Sequence, residues 1–278
     1  MKTILVPVDF SKNSENALHF AINLSQKLQA QLILFHSFHT FHSNAYGSAK
    51  SFDKDALFAK NYSDQELKEL YDNAGIVAFS EPEYISSQNE LRDEILRLVA
   101  EKNVDLIVMG TQGSGNRLEG QIFGTNTSWV VEKAPCPVIT THENLQLETL
   151  SNIVYATDYM SGDCANLQKL AQIAQAFSAH ITVIHIAKEE SAEALTALNN
   201  FEQRVKAETG LSNLSFNLLK GNNVEKSLEQ YLADNQVDLL VLSAHHHTLT
   251  EKLLGKSVTK NMTLYTDISL MIFHQKAN

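Results

Sequence analysis

Thr3–Asp9, Thr-Ile-Leu-Val-Pro-Val-Asp, returns in the second half of the chain as Asn152–Asp158, Asn-Ile-Val-Tyr-Ala-Thr-Asp. Self-similarity at a long period marks a duplicated folding unit. The same register carries Leu18, Ala21, Leu24 and Leu28 onto Leu167, Leu170, Ile173 and Phe177, and then Leu34-Phe35-His36 onto Val183-Ile184-His185. A register that holds through three successive segments makes Asp9 and Asp158 equivalent positions. Further on, Val104–Val108 matches Val237–Val241 at a shorter offset, so the first copy carries extra residues. The polar stretch from Thr40 to Tyr62 is the best place for them. The junction falls in the polar segment Glu143–Ser151, which predicts one domain over 1–145 and a second over 150–278.

Ile4–Val8 is apolar without polar alternation, as expected of a strand buried on both faces. Ser11 follows as an N-cap, and Ala17, Leu18, Ala21, Ile22, Leu24 and Leu28 form an apolar stripe at helical spacing. Gln31–Ser37 reads as a second strand and Ser63 as the cap of a helix over Glu66–Asn73. A weaker strand is expected within Ile76–Ile85. A helix through Leu91–Val99, a strand over Asp105–Gly110, a helix over Thr125–Lys133 and a strand over Pro137–Thr141 complete the first copy. The second copy repeats this, with strands near Asn152, Ile181, Ser215, Asp238 and Ser269. Strands alternating with helices predict an α/β chain of two tandem, doubly wound, five-stranded parallel sheets. Such sheets bind ligands at the carboxyl ends of their strands, where the strand order reverses. The apolar last strands, Pro137–Thr141 and Ile268–Phe273, are edges that invite pairing, which predicts that the two halves pack through them as an intramolecular pseudo-dimer.

The chain has 278 residues and a formal net charge of -10, which disfavours nucleic acid as a bulk partner. Its two cysteines, Cys136 and Cys164, sit in different copies and suggest no disulfide framework. No apolar run is long enough to span a bilayer, and the start reads as a strand rather than a signal peptide. A cytoplasmic protein is expected.

The stretch richest in chemistry is Val108-Met109-Gly110-Thr111-Gln112-Gly113-Ser114-Gly115, followed by Gly124-Thr125-Asn126-Thr127. Glycines let the backbone approach a phosphate, and helix N-terminal N–H groups then face the anion. A plain loop with an ordinary Gly/Thr cap reads the same residues without a ligand. Other phosphate motifs fit less well. Gly255-Lys256-Ser257 has the tail of a P-loop, but Thr250 stands at its first glycine position. Asp9-Phe10-Ser11 follows the first strand where a dinucleotide fingerprint needs glycines, and Leu118 takes the third position after Gly113 and Gly115.

Val6-Pro7-Val8-Asp9-Phe10-Ser11, Leu34-Phe35-His36, Val108-Met109-Gly110, Gly124-Thr125 and Cys136-Pro137-Val138 together resemble the universal stress protein family, across both halves. The resemblance implies a five-stranded parallel α/β domain that often dimerises through its last strand, a tandem arrangement here, and ATP or AMP as ligand in some members. Mg is implied only as the nucleotide's companion ion. The family's nucleotide-binding members carry G-x2-G-x9-G-[ST]; this chain reads Gly110-x2-Gly113-x10-Gly124-Thr125, one residue longer. By that resemblance Asp9 meets the ribose or adenine side with Pro7 and Val8 beside it. Ser37 sits by the adenine, and Met109 and Gly110 line the floor. Gly113, Gly124, Thr125 and Asn126 hold phosphate oxygens. Asp9 also reads as a cap for the helix beginning near Ser11. In the second copy Ser243, His246 and Lys256 replace Gly110, Gly113 and Thr125, and Ile186 replaces Ser37, which makes that site degenerate.

Three functions follow as expectations. The first is a stress regulator with one adenine nucleotide in its first half and at most slow ATP turnover. The second is a ligand-free interaction protein that meets an unidentified partner through the inserted segment. The third is a metal-dependent small-molecule enzyme built on His36, His39, His42 and His245–His247. No cysteine or carboxylate pair completes a tetrahedral metal set with those histidines. No nucleophile elbow is present.

Overall fold

The computed structural model describes residues 1–38, 49–111, 123–141, 150–211, 213–243 and 268–274, with backbone alone for 49–54. The first copy runs β1 (Thr3–Pro7), α1 (Lys12–Leu28), β2 (Gln31–Ser37), α2 (Ala49–Asn73), β3 (Glu83–Ser87), α3 (Leu91–Glu101), β4 (Leu106–Gly110), α4 (Thr125–Lys133) and β5 (Val138–Thr141). The second runs β6 (Asn152–Ala156), α5 (Asp163–Phe177), β7 (His180–Ala187), α6 (Ala192–Thr209), β8 (Leu214–Lys220), α7 (Val224–Asp234), β9 (Leu239–Ser243) and β10 (Ser269–Phe273).

The described strands form a single sheet in the order β3-β2-β1-β4-β5-β10-β9-β6-β7-β8. Pairing is parallel within each copy. The copies meet where β5 and β10 pair antiparallel, Ile139 opposite Met271. The apolar last strands thus cover each other's edges inside one chain. The copies also touch through helices, where Phe20 of α1 stacks on Phe177 of α5 with ring centroids 6.2 Å apart.

Alternation along each strand explains the continuous apolar runs. Ile4, Val6 and Val8 join the core under α1 and α2, whereas Leu5 joins the core under α3 and α4. A strand covered on both faces has no solvated side for a polar residue. The duplication reaches individual dihedrals. Phe10 and Tyr159 have φ of 60° and 61° at matching turns, and Gln29 and Ser178 close α1 and α5 at 54° and 58°.

Two expectations from the sequence need correction. Helix α2 begins at Ala49, so Ser63 is not its cap. Ser63 is buried within the helix, where its Oγ accepts a hydrogen bond from Ser86 Oγ at 2.8 Å. The inserted residues from Ala49 onward are therefore a helix anchored further along by buried Leu67 and Tyr71; residues 40–48 lie outside the described set. The third strand lies at Glu83–Ser87, at the late end of the expected window. Gly75 takes φ of 68°, and Ile76, Val77 and Phe79 after it are exposed. Local apolarity suggested a strand there, but Phe79 N–H bonds Ser25 Oγ of α1 instead of a neighbouring strand.

Candidate functional site

In the first copy the order of strands reverses between β1 and β4, whose neighbouring partners are β2 and β5. The crevice between their carboxyl ends is where an open α/β sheet receives a ligand. Asp9 stands just past β1. Its Oδ1 accepts from Ser11 N–H at 3.1 Å and from Ser11 Oγ at 2.6 Å. Ser11 Oγ in turn accepts from Ser14 N–H at 3.3 Å and caps α1. Asp9 therefore acts in support of the cap rather than as the cap itself, and the half-buried carboxylate stays at the rim of the crevice.

Pro7, Val8 and Met109 are buried, so they shape the floor by packing. Gly110 has a reason of its own. A Cβ there would lie 2.7 Å from Asn13 Cβ and 2.9 Å from the Asn13 carbonyl carbon. The glycine lets α1 press directly onto β4. Ser37 is half-buried and its Oγ donates to Asn89 O at 2.8 Å, which ties the end of β2 to the turn before α3.

Gly124, Thr125 and Asn126 open α4 at the same end of the sheet. Gly124 has φ of -63°, so no left-handed conformation requires glycine there, and it supplies no side chain to cap the helix. Gly124 N–H bonds Thr111 O at 2.9 Å, and buried Thr127 Oγ1 donates to Gly110 O at 2.9 Å. These bonds fix the start of α4 over the end of β4. The Thr125 and Asn126 side chains are exposed. Gly113 lies outside the described residues.

Sequence reasoning missed Asn13, Thr127 and Arg92. Arg92, on α3, donates from Nε to Asn126 Oδ1 at 3.3 Å and from Nη2 to Thr125 O at 3.4 Å. Its guanidinium lies 5.6 Å from the centre of the Trp129 ring. A lone arginine in a helical stretch carries no signal until the topology sets α3 beside α4.

The second copy fills the corresponding space differently. Tyr155 and Thr157 stand where the first copy has Val6 and Val8, and Asp163 where it has Ser14. Asp163 is 1% exposed and accepts from Tyr155 OH at 2.8 Å, Thr157 Oγ1 at 2.5 Å and Met160 N–H at 2.9 Å. Burial raises the Tyr155 phenol well above its usual range, so it stays a neutral donor. Ser243 replaces Gly110 and is buried. The position matching Asn13 is Gly162, the N-cap of α5, and α5 packs less closely on β9 than α1 does on β4.

His36 and His185 are structural. Each Nδ1 donates to the carbonyl at the end of the preceding copy-equivalent strand, Val8 O at 2.7 Å and Thr157 O at 2.8 Å. His36 packs on Phe10 and His185 on Tyr159. Among the described residues no group of three metal-ligating side chains converges; His39, His42 and His245–His247 lie outside them. Burial lifts the Cys136 thiol to about 12 and the Cys164 thiol to about 11. The reactive form is the thiolate. Neither cysteine is expected to react with a thiol reagent at pH 8 in the native protein, and both are expected to react in denaturant. Rapid labelling of either without denaturant would contradict the burial seen here.

These features define a class, a duplicated parallel α/β protein with a crevice at the reversal point of its first copy. The sequence model of the universal stress protein family matches residues 1–142 and again 149–274. The chain belongs to that family, in a tandem arrangement. It is 25% identical over 170 residues to universal stress protein Slr1230 of Synechocystis, covering 61% of this chain and 58% of that one, less than two thirds of the relative's length. The fold is shared with a universal stress protein from Archaeoglobus fulgidus, at 15% identity, TM-score 0.65 and coverage of 98% and 96%. It is also shared with the cytoplasmic domain of a prokaryotic cation chloride cotransporter, at 12% identity, TM-score 0.56 and coverage of 98% and 94%. Among the described residues no helix is long and apolar enough to cross a membrane.

Proposed function

We propose that this chain is a stress-response regulator that binds one adenine nucleotide, ATP or AMP, in its first copy and performs no committed catalysis. The observation that carries this reading is the start of α4, which no side chain caps among the described residues, set at the carboxyl end of β4 beside the reversal point of the sheet. Orphan N–H groups at a helix start favour an anion. Pro7, Val8, Met109 and Gly110 form the floor, Asp9 and Ser37 flank the nucleoside, and Gly113, Gly124, Thr125 and Asn126 receive the phosphates. Residues 1–145 and 150–278 act as separate domains in this reading, the second being the partner that covers the β5 edge. Binding shifts a conformational balance or a partner surface instead of driving a reaction.

Calorimetry with ATP on the full chain tests it. A stoichiometry of one per chain and a dissociation constant near the micromolar range, about -8.2 kcal/mol, are expected. Gly113→Val is expected to weaken binding at least about tenfold, because a β-branched side chain restricts φ and takes phosphate space. Ser243→Ala leaves binding unchanged. Two sites per chain, or none, defeats the reading.

A second reading has its own support. Leu57, Phe58 and Tyr62 on α2 are 59%, 73% and 58% exposed, a concentration of large apolar side chains on one helix. A ligand-free interaction protein would present such a surface. Equilibrium dialysis against ATP separates the two, since this alternative retains no nucleotide.

A further inference from the structure

Arg92 occupies an electrostatically costly place. It lies in the first turn of α3, and its guanidinium reaches the first turn of α4. Helix N-termini carry partial positive charge, so a cation beside two of them is unfavourable. Neither helix start is capped by a side chain: Glu90 and Gly124 make no cap hydrogen bond. Arg92 forms no ion pair among the described residues, although Glu90 and Asp93 are its neighbours in sequence and the chain carries a net charge of -10. Arg97, on the same helix, pairs with Glu94 at 2.5 Å and with Glu101. A cation beside two positive helix ends, bonded among the described residues only to neutral oxygens, favours an anion.

The second copy supplies the control. The offset that carries Val104 onto Val237 carries Arg92 onto Glu225. There α7 is capped, with Asn223 Oδ1 accepting from Lys226 N–H at 3.2 Å, and Glu225 is 8% exposed. The charge is reversed and the orphan N–H group is answered from within the chain. A surface arginine with no ligand gives no reason for both changes to occur at one position.

We infer that Arg92 is the residue that reads the charge of the ligand's phosphate chain, making the first copy selective for polyphosphate nucleotides over nucleosides. This rests on the nucleotide reading above and adds ligand class and a residue to it. Arg92 is prepositioned. Its guanidinium carbon lies over the Trp129 ring, while its bonds to Thr125 O and Asn126 Oδ1 point it at the residues proposed to hold phosphate. The bonds to these neutral oxygens are long, so a phosphate can replace them with shorter charge-assisted ones.

The test is calorimetry on the full chain with ATP, adenosine and inorganic tripolyphosphate, comparing wild type with Arg92→Gln and Arg92→Lys. Arg92→Gln is expected to weaken ATP and tripolyphosphate about tenfold to a hundredfold and to leave adenosine unchanged. Arg92→Lys keeps the charge without the planar fork and is expected to lose ATP affinity by a smaller factor. Equal ATP binding by wild type and Arg92→Gln overturns the assignment while the nucleotide reading survives. Arg92-dependent binding of tripolyphosphate with no binding of ATP or adenosine also overturns the assignment, because the site would then take free polyphosphate and no nucleotide. Wild type that binds none of the three removes both. Thermal melts accompany each variant. If Arg92→Gln melts early, Arg92→Lys decides, and an unchanged ratio of ATP to adenosine affinity in it overturns the assignment.

Discussion

Gly110→Ala is expected to destabilise the protein by about 3 kcal/mol, at the upper end for an overpacked core. The added methyl would lie 2.7 Å from Asn13 Cβ and 2.9 Å from the Asn13 carbonyl carbon. The second of these is backbone, so no rotamer change relieves it and the start of α1 must shift. That shift would also move Ser11, which caps α1, and with it Asp9. In the second copy Ser243 and Gly162 stand at the two matching positions. Gly110→Ser combined with Asn13→Gly should therefore be more stable than the sum of the single changes predicts, by at least about 1 kcal/mol of coupling. Asn13→Gly alone costs only about 0.3 kcal/mol through helix propensity, because asparagine is itself a poor helix former. Urea denaturation of the four proteins of the cycle measures this. Strict additivity would show that Asn13 Cβ is not what opposes a side chain at position 110.

Removal of the Asp163 carboxylate is the second large effect. Asp163→Ala strands Tyr155 OH, Thr157 Oγ1 and Met160 N–H in a buried site. Each buried donor left without a partner costs about 1–3 kcal/mol, so a total of at least about 3 kcal/mol is expected even if one of them finds another partner. Asp163→Asn keeps the shape and one acceptor oxygen, and should lose about 1–2 kcal/mol because Met160 N–H cannot reverse its role as the hydroxyls can. In the Asp163→Ala background, Tyr155→Phe should cost less than it does alone, since the hydroxyl no longer has its acceptor. The equivalent change in the first copy, Ser14→Ala, removes one hydroxyl that donates to Ser11 O at 2.9 Å and should cost about 1 kcal/mol. Equal losses from Asp163→Ala and Ser14→Ala would show that the buried network contributes nothing special to the second copy.

Both effects fall at positions where the two copies differ. The first copy has Val6, Val8 and Ser14 at these positions and, among the described residues, no side-chain cap on α4. The second answers the same positions with buried side chains, Tyr155, Thr157 and Asp163 among them. Ser243→Ala tests that contrast from the other side. Ser243 Oγ is buried without a hydrogen-bond partner among the described residues, so its loss is expected to be harmless.

The sequence by itself determined the duplication, the α/β class, and most strands and helices, because the buried strands must be continuously apolar and the register of Thr3–Asp9 repeats at Asn152–Asp158. Ser11 as a cap and Thr125–Lys133 as a helix were legible from local chemistry alone. Ser63 and Ile76–Phe79 were misread, since a buried Ser63–Ser86 bond and the contact of Phe79 N–H with Ser25 Oγ join residues far apart in sequence. The same limit hid the reason for Gly110. The resemblance placed it on the floor of the site; what demands glycine there is a helix pressed on a strand, and only the packed sheet brings Asn13 there. Arg92 became meaningful only when the strand order set α3 against α4 and left a cation between two positive helix ends. Periodicity records which side of an element is buried, and tertiary structure alone decides which elements become neighbours.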